Sequence, residues 1–400
     1  MLLNELSSAF DRVFGTDIPN CIGVAVSGGG DSMALLDLLR QWGKTDLAVV
    51  SVNHGLRKAA ADELDLVSEY AAQYNLSHDI LHWTWDKTGN LQNAARDGRR
   101  QAIATWAKEY NLSHVALGHT KDDQAETFLM RLSRGSGVDG LACMSARRER
   151  DGVTWLRPLL DLSRDDLRAY LRENNLLWAD DPSNKDTQFD RVKARQMFET
   201  LAPLGLTSER LAQTAAHMQR QKDILQWAEA QIGKLFVQDS IGDMVADRAA
   251  FAAVPEALRS KVFADALCHV SGQDYRPRFR PLQEVMVSDV PTPLHGCLIV
   301  PSKNSLRITR EWAAVRDEVA ASDGLWDGRW GLRNDGAPPS DALQIKALGK
   351  EGLAKIPDWR DTGHIRQSLW ATPALWQGDR LIAAPLAGLS AGWTAQLLRT

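Results

Sequence analysis

Cysteine is scarce and scattered in this sequence. The four cysteines are Cys21, Cys143, Cys268 and Cys297, and no two of them form a Cys-x-x-Cys pair. This spacing argues against a disulfide framework, a zinc site and an iron–sulfur cluster, because each of these needs cysteines held close together. The sequence therefore predicts a protein of a reducing compartment, the cytoplasm.

Long apolar runs and a large excess of one charge are also missing. No apolar run is long enough to span a membrane, and the amphipathic segment 1–13 carries Glu5 and Asp11, unlike a signal peptide. We therefore expect no membrane partner. The formal net charge of −4 does not indicate a nucleic-acid binder, although a basic patch on one face can still hold RNA. A length of 400 residues predicts two or three domains.

A glycine-rich loop is the most informative stretch. It consists of Ser27, Gly28, Gly29, Gly30, Asp31 and Ser32. An apolar run, 22–26, precedes it and a helical pattern follows, so backbone N–H groups and a helix N-terminus can bind phosphate here. The loop lacks the Gly-Lys-Ser/Thr of a Walker A motif and the G-x-G-x-x-G of a dinucleotide-binding fold. The alternative is an ordinary tight turn.

Asp31 is unusual in an anion-binding loop because its carboxylate would repel phosphate. Its presence is explained if a hard cation such as Mg²⁺ bridges Asp31 to the phosphates. We therefore predict a nucleotide site in which Asp31 is the metal-binding residue.

Strand and helix patterns alternate from residue 20 to about 135, which predicts βαβ units and a parallel sheet. Ligands of such sheets bind beyond the carboxyl ends of the strands. The glycine loop, His54 and His119 each follow a predicted strand, so we expect them to meet at one crevice. His54 is also compatible with a simple turn.

A second informative segment begins at Gly118 and carries acids at the start of a predicted helix. Asp123 and Glu126 are three residues apart and share a helix face, where they can hold a cationic substrate or a metal. Acids at a helix start also suit the helix dipole, so plain capping is the alternative. The helix ends with Arg131 and Arg134 before a glycine-rich, phosphate-compatible loop.

Two levels of resemblance follow from these motifs. Ser-Gly-Gly-x-Asp-Ser resembles the pyrophosphate-binding (PP-loop) motif of the N-type ATP pyrophosphatases. A longer pattern consists of the segments 53–57, 93–96 with Arg99 and Arg100, 118–119, 122–127, 129–132, 134–137, 157–160, Ser163 with Arg164, Trp178, 180–184, Arg191 and Arg195. This pattern resembles the tRNA(Ile)-lysidine synthetase family over residues 20 to about 200. The sequence departs from the family pattern at Thr120 and Val192, so Thr120 is given no catalytic role.

The resemblance implies a two-step ligation. ATP adenylates the C2 carbonyl oxygen of a wobble cytidine in an isoleucine tRNA, and the ε-amine of free L-lysine then displaces AMP. It implies that the glycine loop, His54 and His119 bind ATP, that Asp31 positions Mg²⁺, and that Asp123 and Glu126 grip lysine. It further implies that Arg191 and Arg195 stabilise phosphate or the flipped base.

The pattern changes past residue 200. We predict an α/β PP-loop catalytic domain over 1–206, a helical tRNA-contacting domain over 207–290 and a small β-rich domain over 291–400. Candidate contacts to the tRNA anticodon loop are Arg96, Arg131, Arg134, Arg276, Arg278 and Arg280. Each of these arginines is also compatible with a solvated surface.

Two other functions stay open. A tRNA thiolase or a glutamine-dependent synthetase uses the same kind of domain, but paired cysteines or a nucleophilic cysteine domain would be expected, and neither is seen. A non-catalytic ATP-sensing RNA-binding module would not need Asp31, Asp123 and Glu126 together.

Overall fold

The computed structural model describes residues 2–14, 18–53, 60–84, 91–179, 190–334 and 342–398. The predicted ligand residue His54 and the family segment 180–184 lie outside these ranges. The chain divides into two compact units, Met1–Asp223 and Ile224–Thr400.

The first unit is built around a mainly parallel sheet. Within the described residues its strand order is β3-β2-β1-β4-β6-β5, and only the edge strand β5 runs antiparallel. The predicted parallel α/β fold is confirmed. Its elements in chain order are α1 (Leu2–Phe14), β1 (Cys21–Ala25), α2 (Gly30–Trp42), β2 (Asp46–Asn53), α3 (Ala60–Gln73), β3 (Ser77–His82), α4 (Leu91–Glu109), β4 (His114–Leu117), α5 (Lys121–Leu132), α6 (Val138–Leu141), β5 (Arg147–Arg150), β6 (Val153–Leu156), α7 (Arg164–Glu173) and α8 (Asp190–Leu201). Helix α9 (Ser208–Gly233) begins in this unit and continues past its last residue, Asp223.

The central strand β1 is buried on both faces, as its continuous apolar sequence predicts. Helices α2 and α7 cover one face of the sheet, where Leu35, Leu36 and Leu167 share a core cluster with Val24. The other face packs against α4 through Ile103 and Trp106. Burial of these side chains, at about 1.5–3 kcal/mol each, fixes the direction of α2 as it leaves the glycine loop.

The strand order places a topological switch at β1. The chain proceeds from β1 to β2 and β3 on one side and continues at β4 on the other. The crevice between diverging connections therefore opens at the carboxyl ends of β1 and β4, which carry the glycine loop and the Gly118–His119 segment. The structure describes both of these segments, whereas His54, which was expected at the same crevice, lies outside the described residues.

The second unit has two parts that are rich in strands. Within the described residues, an antiparallel sheet of order β7-β8-β11-β10-β9 packs against α11, and later strands form a sheet of order β12-β14-β15-β16 and a β13-β17 pair. Beyond α9 the elements are β7 (Val237–Gln238), β8 (Met244–Asp247), α10 (Arg248–Ala252), α11 (Glu256–Ser271), α12 (Phe279–Met286), β9 (Thr292–Leu294), β10 (Cys297–Pro301), β11 (Ser305–Arg310), α13 (Trp312–Val315), β12 (Val319–Ala321), β13 (Trp330–Arg333), β14 (Gln344–Ala347), α14 (Gly349–Ala354), α15 (Arg366–Trp370), β15 (Pro373–Gln377), β16 (Arg380–Ala383) and β17 (Thr394–Leu397).

Helices and strands share one core in the first part of this unit. Phe263 and Leu267 of α11 pack in the same cluster as Ile299 of β10 and Ile308 of β11. The predicted division at 206/207 and 290/291 stays a prediction. Among the helices that the structure describes, none has the length and apolar character needed to cross a membrane.

Candidate active site

The glycine loop is held by its own serines. Ser32 Oγ donates to the Gly29 carbonyl at 2.9 Å and accepts the Ser27 N–H at 3.1 Å, so the hydroxyl of Ser32 closes the loop on itself. Gly29 is the N-cap of α2 and makes no side-chain cap. The first turn of α2 therefore presents N–H groups that no capping side chain occupies, as an anion site requires.

Two glycines are required by close backbone approaches. Gly28 has φ +84°, and a Cβ there would lie 2.7 Å from the Glu63 carbonyl oxygen. A Cβ on Gly118 would lie 3.0 Å from the Asp31 carbonyl oxygen, so the loop after β4 passes directly over the first turn of α2. The glycine loop and the Gly118 segment are thus neighbours, as the sequence predicts.

Arg164 joins the three candidate carboxylates. It is the first residue of α7, and its guanidinium bonds to Asp123 Oδ1 at 2.6 Å, to Glu126 Oε1 at 2.7 Å and to Asp31 Oδ2 at 3.3 Å. Its backbone N–H also donates to Asp122 Oδ2 at 2.8 Å. One planar cation therefore connects the glycine loop to the acids of α5, in the fork geometry that arginine offers to carboxylates.

Two further arginines of α8 reach the same acids. Arg195 bonds to Glu126 Oε1 through Nε at 3.0 Å and Nη2 at 2.9 Å, and Arg191 Nη1 lies 3.8 Å from Asp123 Oδ1. The structure thus brings Arg191 and Arg195 to Asp123 and Glu126, although these residues are about 70 positions apart in the chain.

Asp123 acts in two ways at once. Its Oδ2 accepts the Thr120 N–H at 2.9 Å and the Thr120 hydroxyl at 3.0 Å in a capping box, while its Oδ1 faces Arg164. Oδ2 therefore caps α5, as the capping alternative predicts, while Oδ1 lies in the candidate site and contacts Arg164. Thr120, which departs from the family pattern, serves as the N-cap of α5.

Burial and the arginines set opposite pKa shifts on two of the acids. Burial raises the pKa of Asp31 above its usual value, and Arg164 opposes that effect only in part. For Asp123, burial also acts to raise the pKa, but Arg164, the Thr120 backbone and Arg191 outweigh it, so the pKa is lowered. Asp123 is therefore firmly ionised at neutral pH, whereas Asp31 is the more easily protonated carboxylate.

One carboxylate oxygen of Glu126, Oε2, accepts no hydrogen bond from the described residues. Its side chain is 1% exposed, its Oε1 is held by two arginines, and its Oε2 finds no hydrogen-bond partner in the part of the chain that the structure describes. A buried carboxylate oxygen without a donor is costly, at about 1–3 kcal/mol or more, and marks a position where a ligand donor fits.

Several arginines lie near His119, the second predicted histidine ligand of the nucleotide, or near one another. We define this arginine cluster as Arg96, Arg99, Arg148, Arg157 and Arg191, of which Arg99, Arg157 and Arg191 act on His119 and Arg96 and Arg148 act on Arg157. Burial lowers the pKa of His119, and Arg157, Arg191 and Arg99 lower it further, so the imidazole is neutral. Burial also lowers the pKa of Arg157 to about 10, with Arg148 and Arg96 adding to the effect. Like charges crowded in this way produce a positive potential that attracts anions.

The remaining predicted tRNA contacts differ in their surroundings. Arg131 and Arg134 are exposed at the end of α5, and Arg134 lies 3.5 Å from Asp190. In the second unit, Arg276 makes a two-bond pair with Asp265 at 2.7 and 2.9 Å, while Arg280 is exposed beside Glu284. Arg278 is the N-cap residue of α12. Their role in binding stays a prediction.

Arg164 is the residue whose role the sequence left unassigned. It belongs to the matching family segment, but an arginine after the N-cap Ser163 gives no signal of a long-range contact. One sequence feature points to a cation at this place. Three acids, Asp31, Asp123 and Glu126, are predicted around one crevice, and so many negative charges need a positive charge nearby.

The glycine loop, the parallel sheet and the acids at the β4 crevice define an ATP-utilising PP-loop enzyme. A family model described as a PP-loop domain matches residues 2–201. This match confirms the predicted superfamily and the use of ATP.

Full-length relatives extend the match to the second unit. The tRNA(Ile)-lysidine synthase of Ruegeria pomeroyi is 43% identical over an alignment of 403 positions that covers 99% of this chain and 94% of that protein. The tRNA(Ile)-lysidine synthase of Wolbachia pipientis wMel is 30% identical over an alignment of 405 positions that covers 95% of this chain and 92% of that protein. The chain belongs to the tRNA(Ile)-lysidine synthase family, and it is an enzyme of the ligase type.

Proposed function

We propose that this enzyme joins free L-lysine to C2 of the wobble cytidine of an isoleucine tRNA with a CAU anticodon. ATP first adenylates the cytidine, and the products are lysidine, AMP and pyrophosphate. The observation that carries this proposal is the Arg164 contact set, in which one guanidinium bonds to Asp31 of the glycine loop and to Asp123 and Glu126 of α5. This contact set supports a crevice that serves both phosphate chemistry and amine capture.

The charge distribution suits the adenylation step. Backbone N–H groups at the start of α2 provide donors for the triphosphate, and the neutral His119 adds no repulsion toward a cation. The C2 carbonyl oxygen of cytidine attacks the α-phosphorus, a P–O bond forms, and the bond to pyrophosphate breaks. Fixed donors aimed at the departing oxygens stabilise this transition state.

Asp31 fits a role in holding Mg²⁺. Its side chain is 28% exposed, and within the described residues its hydrogen bond to Arg164 uses Oδ2. Mg²⁺ is commonly bound by one or two carboxylates together with substrate phosphates, so a single partly exposed aspartate beside a phosphate loop is a suitable donor set. When bound, Mg²⁺ neutralises negative charge that develops on the leaving pyrophosphate.

The acids of α5 suit the second step. Glu126 Oε2 is a buried acceptor with no donor among the described residues, and the ammonium group of a lysine substrate supplies such a donor. A carboxylate within hydrogen-bond reach also accepts the proton that the ε-amine loses as it attacks C2. The C2–N bond then forms, the C2–O bond breaks, and the oxygen leaves with AMP.

A tRNA substrate suits the arginine cluster and the exposed Arg131 and Arg134. Base edges of an anticodon loop are accessible only when a nucleotide is unstacked, and the phosphates on either side then need cationic contacts. Burial lowers the pKa of Arg96 and of Arg157, and the charges of neighbouring arginines, Arg148 among them, lower it further, so a neighbouring phosphate relieves that repulsion.

The proposal is tested with purified enzyme, ATP, radiolabelled lysine and transcribed isoleucine tRNA. We expect one lysine in the tRNA for each AMP formed, and no AMP when either tRNA or lysine is omitted. Methionine tRNA, which carries the same anticodon, serves as the matched control substrate, and ornithine serves as the control amine. Formation of AMP at the same rate without lysine would contradict the proposal.

A further inference from the structure

A buried carboxylate outside the site joins three helices. Asp37 lies in α2, and it is 1% exposed. Its Oδ1 accepts the Tyr70 hydroxyl of α3 at 2.5 Å and Arg40 Nη2 at 2.7 Å. Its Oδ2 accepts the Tyr170 hydroxyl of α7 at 2.5 Å and Gln41 Nε2 at 2.8 Å. Both oxygens are therefore satisfied, and the proposed reaction uses none of these groups.

The hydrogen bonds keep this carboxylate charged. Burial is the largest single effect and acts to raise the pKa of Asp37, but the bonds from Tyr170, Tyr70 and Arg40 outweigh it and the pKa is lowered. Burial and the contact with Asp37 raise the pKa of both tyrosine hydroxyls, so each remains a donor. Charge-assisted bonds of this kind are about twice as strong as neutral ones.

Residue spacing links this cluster to the active site. Asp37 follows Asp31 by six residues in α2, and Tyr170 follows Arg164 by six residues in α7. Each therefore lies about 9 Å further along its own helix. The two helices are joined at two levels, by Arg164 to Asp31 at 3.3 Å in the site and by Tyr170 to Asp37 at 2.5 Å beneath it.

Apolar packing alone would not fix the helices along their axes. Met33 and Leu36 of α2 share a core cluster with Leu167 and Leu171 of α7. Contacts of this type are non-directional and tolerate small shifts along a helix axis. A shift by one residue moves a side chain by about 1.5 Å, which is enough to break a hydrogen bond.

We propose that Asp37 and Tyr170 form a positioning clamp that fixes α7 against α2 and so holds Arg164 in reach of Asp31, Asp123 and Glu126. This inference rests on the proposed function, in which those four groups carry out adenylation and amine capture. Asp37 and Tyr170 touch no substrate, so their effect on catalysis passes through Arg164.

The test compares Tyr170→Phe with Tyr70→Phe in the full-length enzyme. Each variant removes one hydroxyl from the same buried carboxylate, but only Tyr170 lies in α7. We expect Tyr170→Phe to lower the kcat of tRNA-dependent pyrophosphate release about ten- to hundredfold with little change in the KM for ATP, because misplacement by about 1 Å has that effect. We expect Tyr70→Phe to keep kcat within about twofold at a similar loss of thermal stability.

A second readout separates positioning from general destabilisation. If Tyr170 acts through Arg164, Tyr170→Phe lowers kcat much less in an Arg164→Lys background than in the wild-type background, whereas general destabilisation lowers kcat by the same factor in both. Equal kcat values for Tyr170→Phe and Tyr70→Phe, or an equal fold loss of kcat in the two backgrounds, would overturn the clamp.

Failure of the proposed reaction would be visible separately, because the wild-type enzyme would then release no pyrophosphate with tRNA. In that case the clamp is judged from urea midpoints of Tyr170→Phe, Arg164→Gln and the double variant, with Tyr70→Phe in a parallel cycle. Non-additive midpoint shifts confined to the Tyr170 cycle support the clamp, and additive shifts in both cycles contradict it.

Discussion

Arg164 Nη2 lies 2.6 Å from Asp123 Oδ1, and Nη1 of the same guanidinium lies 2.7 Å from Glu126 Oε1. The two acids come from one face of α5, and the arginine comes from the first position of α7. Without this cation, two buried carboxylates three residues apart would repel each other. Arg164 therefore offsets the repulsion between these two acids at a site that is partly closed to water.

Substitution of Arg164 by lysine tests whether the fork geometry is needed. An ammonium group keeps the charge but cannot bond in the arginine's fixed fork to all three acids at once, so we expect Arg164→Lys to lower adenylation about a hundredfold. The measurement is pyrophosphate release with saturating ATP, tRNA and lysine. Arg172→Lys, an exposed position on the same helix, is the matched control. A rate for Arg164→Lys within twofold of wild type would contradict a role for the contact set.

The pH dependence of adenylation follows from Asp31. Burial raises the pKa of this carboxyl above its usual value, and Arg164 lowers it in part. If the reaction needs the ionised form of Asp31, activity falls as the pH drops through this raised pKa. Arg164→Gln removes the cation that lowers the pKa of Asp31, so the acid limb of kcat/KM moves to higher pH. The profile is measured from pH 5 to 9 for both enzymes. An unchanged acid limb in the variant would show that Asp31 does not control this ionisation.

Local features of the site could be read from the sequence because their signals are local. Gly28, Asp31 and Ser32 follow a buried strand, and Asp123 and Glu126 share a helix face by spacing alone. The contact of Arg164 with Asp31 spans 133 positions, and that of Tyr170 with Asp37 also spans 133. Such pairs are set by how α7 packs on α2, which hydrophobic periodicity does not specify.

Lysine capture by α5 is the next prediction. If Asp123 and Glu126 hold the amine, removal of one charge weakens lysine binding by about 1.5–3 kcal/mol, which raises the KM for lysine about ten- to hundredfold. Asp123→Asn and Glu126→Gln keep side-chain size and are measured separately, with lysine varied at saturating ATP and tRNA. The KM for ATP serves as the internal control and should change little.

Two results would be inconsistent with that assignment. Wild-type lysine dependence in both variants would leave Asp123 and Glu126 as capping and structural acids. A collapse of ATP binding with an unchanged lysine KM would assign them to the phosphate side of the reaction.

A separate prediction concerns the binding of tRNA by the arginine cluster. Removal of one phosphate contact by Arg96→Gln should weaken tRNA binding and reduce the slope of log affinity against log salt by about one. Binding is measured by filter retention between 50 and about 200 mM salt, a range over which such contacts weaken strongly. Arg172→Gln removes the same charge from an exposed helix position and controls for net charge. An unaltered slope in Arg96→Gln would remove this arginine from the tRNA interface.

The most direct test of the central claim follows one oxygen atom. In the proposed reaction the C2 carbonyl oxygen of the wobble cytidine attacks the α-phosphorus of ATP and later leaves with AMP. The measurement uses isoleucine tRNA that carries ¹⁸O at that carbonyl, a single turnover with ATP and lysine, and mass spectrometry of the AMP. The account predicts that the AMP acquires the ¹⁸O while lysine becomes attached at C2. AMP without the label, formed together with lysine-modified tRNA, would contradict an adenylated cytidine intermediate.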